Sequence, residues 1–492
     1  MFLLLSLGFK EEKREFMFDN DSRLAALRRY SKKGLGWVFN TSTFTGNVAI
    51  ALIATYFFRE LGYEDDVNYV FLVGILAIGL WITEAIPPFA VGIFIIAMLM
   101  FGFGTSYILD EAQPVEIYLE TWTSNVIWLL LGGFFLAEGM KIAKIDKSLF
   151  DFSLKRFGKT PKKLLFGLMI TTAFGSMVMS NTATTAMMIS SVLPLVHILG
   201  KDHSFSKALL IGIPASAAVG GVGTIIGSTP NAIAVGALQE VGFSISFVDW
   251  MVFGLPIALI FVYSFFTYLK RSIPKNLTID DLKLDQITSK GKADKKDKNA
   301  VLITLFITVS LWLTEPIHGV PVAATSAVPI VLLTLTQVIT AKQVRALPWD
   351  TLMLVAGGLA LGLAIVEVGL STIIMEQLSK LPIATIWLVM IFAFVGILLS
   401  NVMSNTAASA ILVPLGLTLS GMLGVAAPLI TAISCSCALL LPVSTPANAI
   451  SYATGMIEQK EFRKSGLFFI VIGPVISFGV VLLWAWIFIG SN

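Results

Sequence analysis

Charge is the scarcest thing in this sequence. Of 492 residues, 13% are Asp, Glu, Lys or Arg, while 56% are hydrophobic. A soluble domain carries about 25% charged residues, so a water-facing globule is excluded. Histidine occurs three times, which argues against a haem or a multi-histidine metal centre. Cysteine occurs twice. Cys435 and Cys437 lie two apart in an apolar stretch, so they point in different directions and make a poor disulfide or metal pair. They read as small membrane-buried residues. There is no Walker phosphate loop, no dinucleotide fingerprint and no His-Glu-x-x-His. No nucleophile stands beside a base, as covalent catalysis would need, and nothing points to a nucleic acid partner. The net charge of +3 carries little meaning, because charge is sorted by loop.

What the chain has instead is apolar runs near 20 residues long, the length that spans about 30 Å of hydrocarbon. An all-α polytopic membrane protein follows. Residues 1–44 are expected to form a cytoplasmic N-terminal tail, with an interfacial helix near 24–30. The apolar opening 1–8 is followed by charge at 10–15, the reverse of a cleaved signal peptide. Spans are expected at 45–60, 68–86, 88–105 and 125–142. The connection 106–124 carries Asp110, Glu111, Glu116 and Glu120 and no Lys or Arg. The stretch 141–163 carries eight Lys or Arg against Asp146 and Asp151. The positive-inside rule puts the basic stretch in the cytoplasm and the acidic one outside.

The run 164–199 is too long for one ordinary span, and Ser180-Asn181-Thr182 interrupts its centre. Lys162 and Lys163 precede it; Lys201 and Lys207 follow it. Both flanks read as cytoplasmic, so a re-entrant hairpin with the triplet at its tip is expected rather than a kinked crossing. The run 208–243 is broken at Gly220-Gly221-Val222-Gly223 and again at Gly227-Ser228-Thr229-Pro230-Asn231. Unwound backbone at membrane depth is tolerated only where it is buried in protein or lines a cavity. A span at 250–269 closes the first half, 45–269. The Lys-rich segment 270–299 is the expected cytoplasmic linker to the second half, 300–490.

The second half repeats the landmarks of the first in the same order. Trp81-Ile82-Thr83-Glu84 matches Trp312-Leu313-Thr314-Glu315, and Gly132-Gly133 matches Gly357-Gly358. Ser180-Asn181-Thr182 matches Ser404-Asn405-Thr406, and the first Thr-Pro break resembles Ser444-Thr445-Pro446-Ala447-Asn448. Spans are expected at 300–316, 320–338 and 350–368, a second hairpin at 384–424, a broken span at 426–455 and a last span at 466–490. Lys460, Arg463 and Lys464 mark a cytoplasmic turn, which leaves the C-terminus outside. That makes about eleven spans and two hairpins. Five spans per repeat force the copies into opposite orientation, so the hairpin tips can meet at the midplane, the inverted-repeat logic of secondary transporters.

The core segments 164–199, 208–238, 384–424 and 426–455 hold no interior Asp, Glu, Lys or Arg. His197 lies near the cytoplasmic end of the first hairpin. A buried proton relay is therefore not evident. The available ligands are hydroxyls, amides, backbone carbonyls and helix ends. Oxygens of Asn, Ser and Thr with freed carbonyls suit a hard monovalent cation; amide N–H, hydroxyls and helix N-termini suit an anion. A lone Ser or Thr reads as a helix contact. Two matched triplets, each paired with a matched Pro-containing break, read as a site. Glu84 and Glu315 sit at span ends beside proline and read as structural. A channel would lack saturable, counter-ion-dependent uptake.

Taken together, the paired Ser-Asn-Thr motifs, the Trp-x-Thr-Glu repeats and the Thr-Pro breaks resemble the divalent anion/sodium symporter family over residues 45–490. The family's Pro-Pro before the Asn is Thr229-Pro230 in one half and Pro446-Ala447 in the other. The resemblance implies a homodimer whose protomers divide into a scaffold and a mobile transport domain, an elevator. It implies one sodium site from Ser176, Ser180 and Asn181 with carbonyls near Gly227. A second would use Ser400 and Asn405 with carbonyls near Ser444. The substrate would touch Asn181, Thr182, Ser228, Asn405, Thr406 and Thr445. The expected function is sodium-coupled uptake of C4 dicarboxylates such as succinate, malate and fumarate, in a bacterial inner membrane. The alternatives are a sulfate or tricarboxylate carrier, or a sodium-independent dicarboxylate exchanger.

Overall fold

A computed structural model of the chain describes residues 20–105, 112, 114–158, 160–274, 276–278, 294–380, 384–419 and 421–489. Among these residues the regular structure is helical throughout, with no strand. Among the described residues nine helices are long and apolar enough to cross a membrane, and further apolar helices are shorter.

The first four major helices are α1 (Asn20–Arg59), α2 (Asp65–Thr83), α3 (Pro88–Phe103) and α4 (Asn125–Ile142). The last three fall close to the expected spans. The first, 45–60, falls in the C-terminal part of α1, whose membrane-length apolar stretch is Asn40–Arg59, and the helix itself runs without a break from Asn20. Residues 20–44 of the expected tail are thus helical and continuous with the span, and 1–19 lie outside the described residues. The physical reason is that Gly34 and Gly36 cost only about 1 kcal/mol each in a helix, and no proline occurs between 20 and 59 to stop it.

A short helix α5 (Ile145–Phe157) then leads into α6 (Pro161–Ser176) and α7 (Asn181–Leu199). The chain reverses between α6 and α7. A Cβ on Gly175 would lie 3.3 Å from Thr184 Cγ2, whereas nine residues of continuous helix would separate them by roughly 13 Å. The break of the next run comes after α8 (Ser204–Gly220), and α9 (Thr229–Glu240) resumes it. Then follow α10 (Phe247–Leu269) and α11 (Lys295–Leu313). The expected linker 270–299 is thus shorter than its lysines suggested. The Asp294 side chain accepts from Lys296 N at 3.0 Å and starts α11 among those lysines. Residues 275 and 279–293 lie outside the described residues.

The expected span 320–338 is two short helices, α12 (Val322–Thr325) and α13 (Ala327–Leu335). They break at Ser326, whose hydroxyl donates to Val322 O at 2.6 Å and accepts from Trp312 Nε1 at 3.1 Å. After α14 (Trp349–Glu367) and α15 (Leu370–Ser379) comes a second helical reversal, α16 (Thr385–Val402) and α17 (Asn405–Gly416). It ends earlier than the expected 424, because α18 (Gly421–Cys435) already begins there and Gly416 packs against Pro428. The chain then unwinds until α19 (Pro446–Ala453) and closes with α20 (Gln459–Phe488). Lys460, Arg463 and Lys464 therefore lie on the first turns of a helix rather than in a turn, where Glu461 pairs with Lys207 at 3.4 Å and with Lys464 at 3.9 Å.

Close backbone approach ties the frame together. A Cβ on Gly132 of α4 would meet the Ser326 backbone, and one on Gly357 of α14 would overlap Gly92 of α3. The inner helices cross over between the halves. The half-helix α9 packs on α17 and α18, and α19 packs on α7 and α8. Each break is thereby carried to the hairpin of the other half.

Candidate functional site

Serine starts the second arm of each hairpin. Ser180 caps α7, accepting from Ala183 N at 3.2 Å, and Ser404 caps α17, accepting from Ala407 N at 3.1 Å. A Ser side chain at this position satisfies one of the orphan N–H groups of the first turn. Asn and Thr then occupy the first two helical positions. Both asparagines fold back onto the preceding arm: the Ser176 hydroxyl is 2.5 Å from the Asn181 side-chain amide, and the Ser400 hydroxyl is 2.7 Å from Asn405 Oδ1.

The breaks supply carbonyls, and a second pair of asparagines holds them in place. Asn231 Nδ2 donates to Gly221 O at 3.0 Å and Thr224 O at 2.8 Å. Asn448 Nδ2 donates to Leu441 O at 3.0 Å and Leu439 O at 3.4 Å. Backbone freed from a helix in an apolar surrounding must be paired in this way. The hairpins also brace the breaks. Thr224 Oγ1 donates to Met177 O at 2.5 Å. Asn401 Oδ1 accepts from Leu440 N at 2.8 Å and from the Ser444 hydroxyl at 3.1 Å.

The Asn181 amide is satisfied in one orientation, with Nδ2 facing inward: it donates to Ala217 O at 3.0 Å and Gly227 O at 3.1 Å and lies 2.5 Å from the Ser176 hydroxyl. The amide, that hydroxyl and the two carbonyls converge on one point. An inward Oδ1 would put these oxygens together with one proton among them, which only a cation would offset. In the other half, the Ser400 hydroxyl lies 2.7 Å from Asn405 Oδ1 and 2.8 Å from Cys435 O, with one proton to share between them.

Of the residues the sequence nominated, the structure brings together Ser176, Asn181 and Gly227, and separately Ser400 and Asn405. Ser180 is a helix cap and exposed. Ser444 is bonded to Asn401. Thr182 is exposed and Thr406 half-buried on the first turns of their helices. Thr445 is buried and caps α19, accepting from Asn448 N at 3.1 Å. Ser228 is buried and lies 2.8 Å from Ser436 Oγ. The sequence reading gave no role to Asn231, Asn401 or Asn448, although Asn231 and Asn448 stand inside the quoted motifs and Asn401 follows Ser400. A count of buried polar groups per motif would have found them. Ser436 and the carbonyls of Ala217 and Cys435 carry no local signal. Among the described residues no group of three or more His, Cys, Asp and Glu could hold a metal ion.

Comparison with known proteins bears on what such a site does. Residues 78–436 match the family model described as citrate transporter, CitMHS. The sodium-dependent dicarboxylate transporter SdcS of Staphylococcus aureus strain USA300 is 32% identical over 442 residues, 82% of each chain. The SdcS of strain MRSA252 is 30% identical over 496 residues, 92% of this chain and 93% of that one. Among solved structures, MtrF of Neisseria gonorrhoeae, described with a class of antimetabolite efflux pumps, superposes with a TM-score of 0.53 at 14% identity, covering 81% of this chain and 94% of that one. The YdaH transporter of Alcanivorax borkumensis superposes with a TM-score of 0.51 at 12% identity, covering 82% and 98%. At such identities the likeness is one of fold.

Proposed function

Because the chain belongs to the citrate transporter family and is therefore a membrane transporter, we propose that it is a secondary carrier coupling sodium to the uptake of C4 dicarboxylates such as succinate, malate and fumarate. The observation that carries this reading is the convergence of the Asn181 amide, the Ser176 hydroxyl and the carbonyls of Ala217 and Gly227, with Ser400, Asn405 and Cys435 O as its counterpart in the other half. A sodium ion between Ser176, Asn181 Oδ1, Ala217 O and Gly227 O needs the amide oxygen inward, which turns Nδ2 away from the carbonyls. The outward Nδ2 can then donate to a carboxylate. Without the ion, Nδ2 turns in to satisfy the carbonyls and Oδ1 turns out, where it repels an anion. Coupling then follows from one planar amide. Ser400, Asn405 and Cys435 O are the matching elements for a second ion. The N-termini of α7 and α17 add partial positive charge near the substrate, without a buried Lys or Arg.

The crossed packing of α9 and α19 on the opposite hairpins suits a transport unit that moves as one body, an elevator, within a homodimer in a bacterial inner membrane. Inverted repeats, a cytoplasmic N-terminus and an external C-terminus belong to the same reading. A second reading, carriage of the tricarboxylate citrate, draws on the description of the family. Proteoliposomes given labelled succinate, citrate or sulfate, with and without an inward sodium gradient, separate the cases. Sodium-driven succinate uptake is expected. Preference for citrate or sulfate would replace the substrate, and succinate exchange indifferent to sodium would replace the mechanism.

A further inference from the structure

The two ion-binding elements lie far apart in sequence, yet one hydrogen bond joins the peptides that carry their carbonyls. Gly227 offers its carbonyl toward Asn181, and Ser228 follows it in the chain. Cys435 offers its carbonyl to the Ser400 hydroxyl, and Ser436 follows it. Ser228 Oγ and Ser436 Oγ are 2.8 Å apart. Ser228 is 5% exposed and Ser436 0%, so water does not compete for this bond. Ser436, the residue after α18, also reaches Ala432 O at 3.3 Å, and either hydroxyl can supply the proton of the shorter Ser228–Ser436 bond.

We propose that Ser436 is a positioning residue that couples the two halves of the site. It holds the Ser228 hydroxyl, and with it the Gly227–Ser228 peptide, in register with the Cys435 carbonyl. Filling one oxygen cluster then pre-organises the carbonyl of the other. An unbroken path runs from Asn181 through Gly227, Ser228, Ser436 and Cys435 to Ser400 and Asn405. Each step in it is a covalent neighbour or a bond named above. Coupling between sites needs a physical link that both ligands bias, and this bond is such a link. The inference rests on the sodium-coupled reading given above.

The test is sodium-dependent uptake of labelled succinate by full-length protein in proteoliposomes, with sodium-dependent thermal stabilisation in the absence of succinate as a second readout. Wild type is expected to respond cooperatively to sodium. Ser436→Ala is expected to raise the half-saturating sodium concentration about two- to tenfold, the worth of one hydrogen bond, and to bring the Hill coefficient toward one. Ser436→Thr keeps the hydroxyl and is expected to stay within about twofold of wild type. The double variant with Ser228→Ala should be no worse than the worse single variant, since both remove the same bond. A merely structural serine would lower stability without changing cooperativity. A wild-type sodium curve for Ser436→Ala, or losses that multiply in the double variant, would overturn the coupling role while leaving sodium transport intact. Uptake by wild type that ignores sodium would overturn the functional reading itself, and this inference with it.

Discussion

Gly92 of α3 and Gly357 of α14 meet backbone to backbone, so closely that a Cβ on Gly357 would overlap Gly92. The contact joins a helix of the first half to one of the second. Neither partner can give way, because what each meets is main chain. Gly357→Ala is expected to destabilise the protein by about 1–3 kcal/mol or more, the cost of overpacking. Gly74→Ala is the control, since a Cβ there meets nothing within 4 Å. Thermal unfolding in detergent, followed by tryptophan fluorescence, should show a lower midpoint for Gly357→Ala only. Equal midpoints would mean the helices separate freely at this point.

Asn181 and Asn405 are expected to serve cation and anion together. Either Asn→Ala change should weaken sodium and dicarboxylate binding in parallel, because coupling is reciprocal. Loss of a hydrogen bond to a charged group costs roughly 1.5–3 kcal/mol, about ten- to a hundredfold in affinity. Asn405→Asp tests the sign. It should abolish dicarboxylate uptake by repulsion yet keep stabilisation by sodium. Native uptake rates in these variants would remove both residues from the site.

Asn401 braces the second break and does not itself face the Ser400–Asn405 pair through any bond described above. Its amide donates to Ile397 O at 2.7 Å while its oxygen accepts from Leu440 N and Ser444. Asn401→Ala leaves buried groups unpaired, at about 1–3 kcal/mol for each. A lower melting midpoint with reduced uptake is expected. Asn401→Asp keeps the acceptor and should recover part of the loss; if it melts lower than the Ala variant, the acceptor role is wrong.

Sidedness can be read with an impermeant thiol reagent, since native Cys435 and Cys437 are buried and should stay silent. A cysteine at Glu116 is expected to label from outside, and one at Lys292 from inside. Cysteines at Lys163 and Lys201 should label from the same, cytoplasmic side. Labelling of that last pair from opposite faces would make α6 and α7 a crossing in the membrane and end the inverted-repeat proposal.

The sequence by itself determined the class of this protein and the place of its polar breaks. Runs such as 125–142 are apolar at the length of a bilayer, so their helices were legible to within a residue or two. Ser180 and Ser404 announce helix starts by local chemistry alone, and the doubled triplets marked the candidate site. Boundaries that depend on competition were less legible. The lysines near 295 argued for linker, yet Asp294 caps a helix among them. The lysines and arginine near 460 argued for a turn, yet ion pairs with Glu461 let α20 begin there. What only the tertiary structure decided is which groups converge. Ala217 O, Cys435 O and Ser436 carry no mark in the sequence, because a carbonyl is present at every residue and a serine at a helix end is common. They matter because α9 and α19 cross to the opposite hairpins. That crossing brings Ser228 and Ser436, 208 residues apart, within one hydrogen bond.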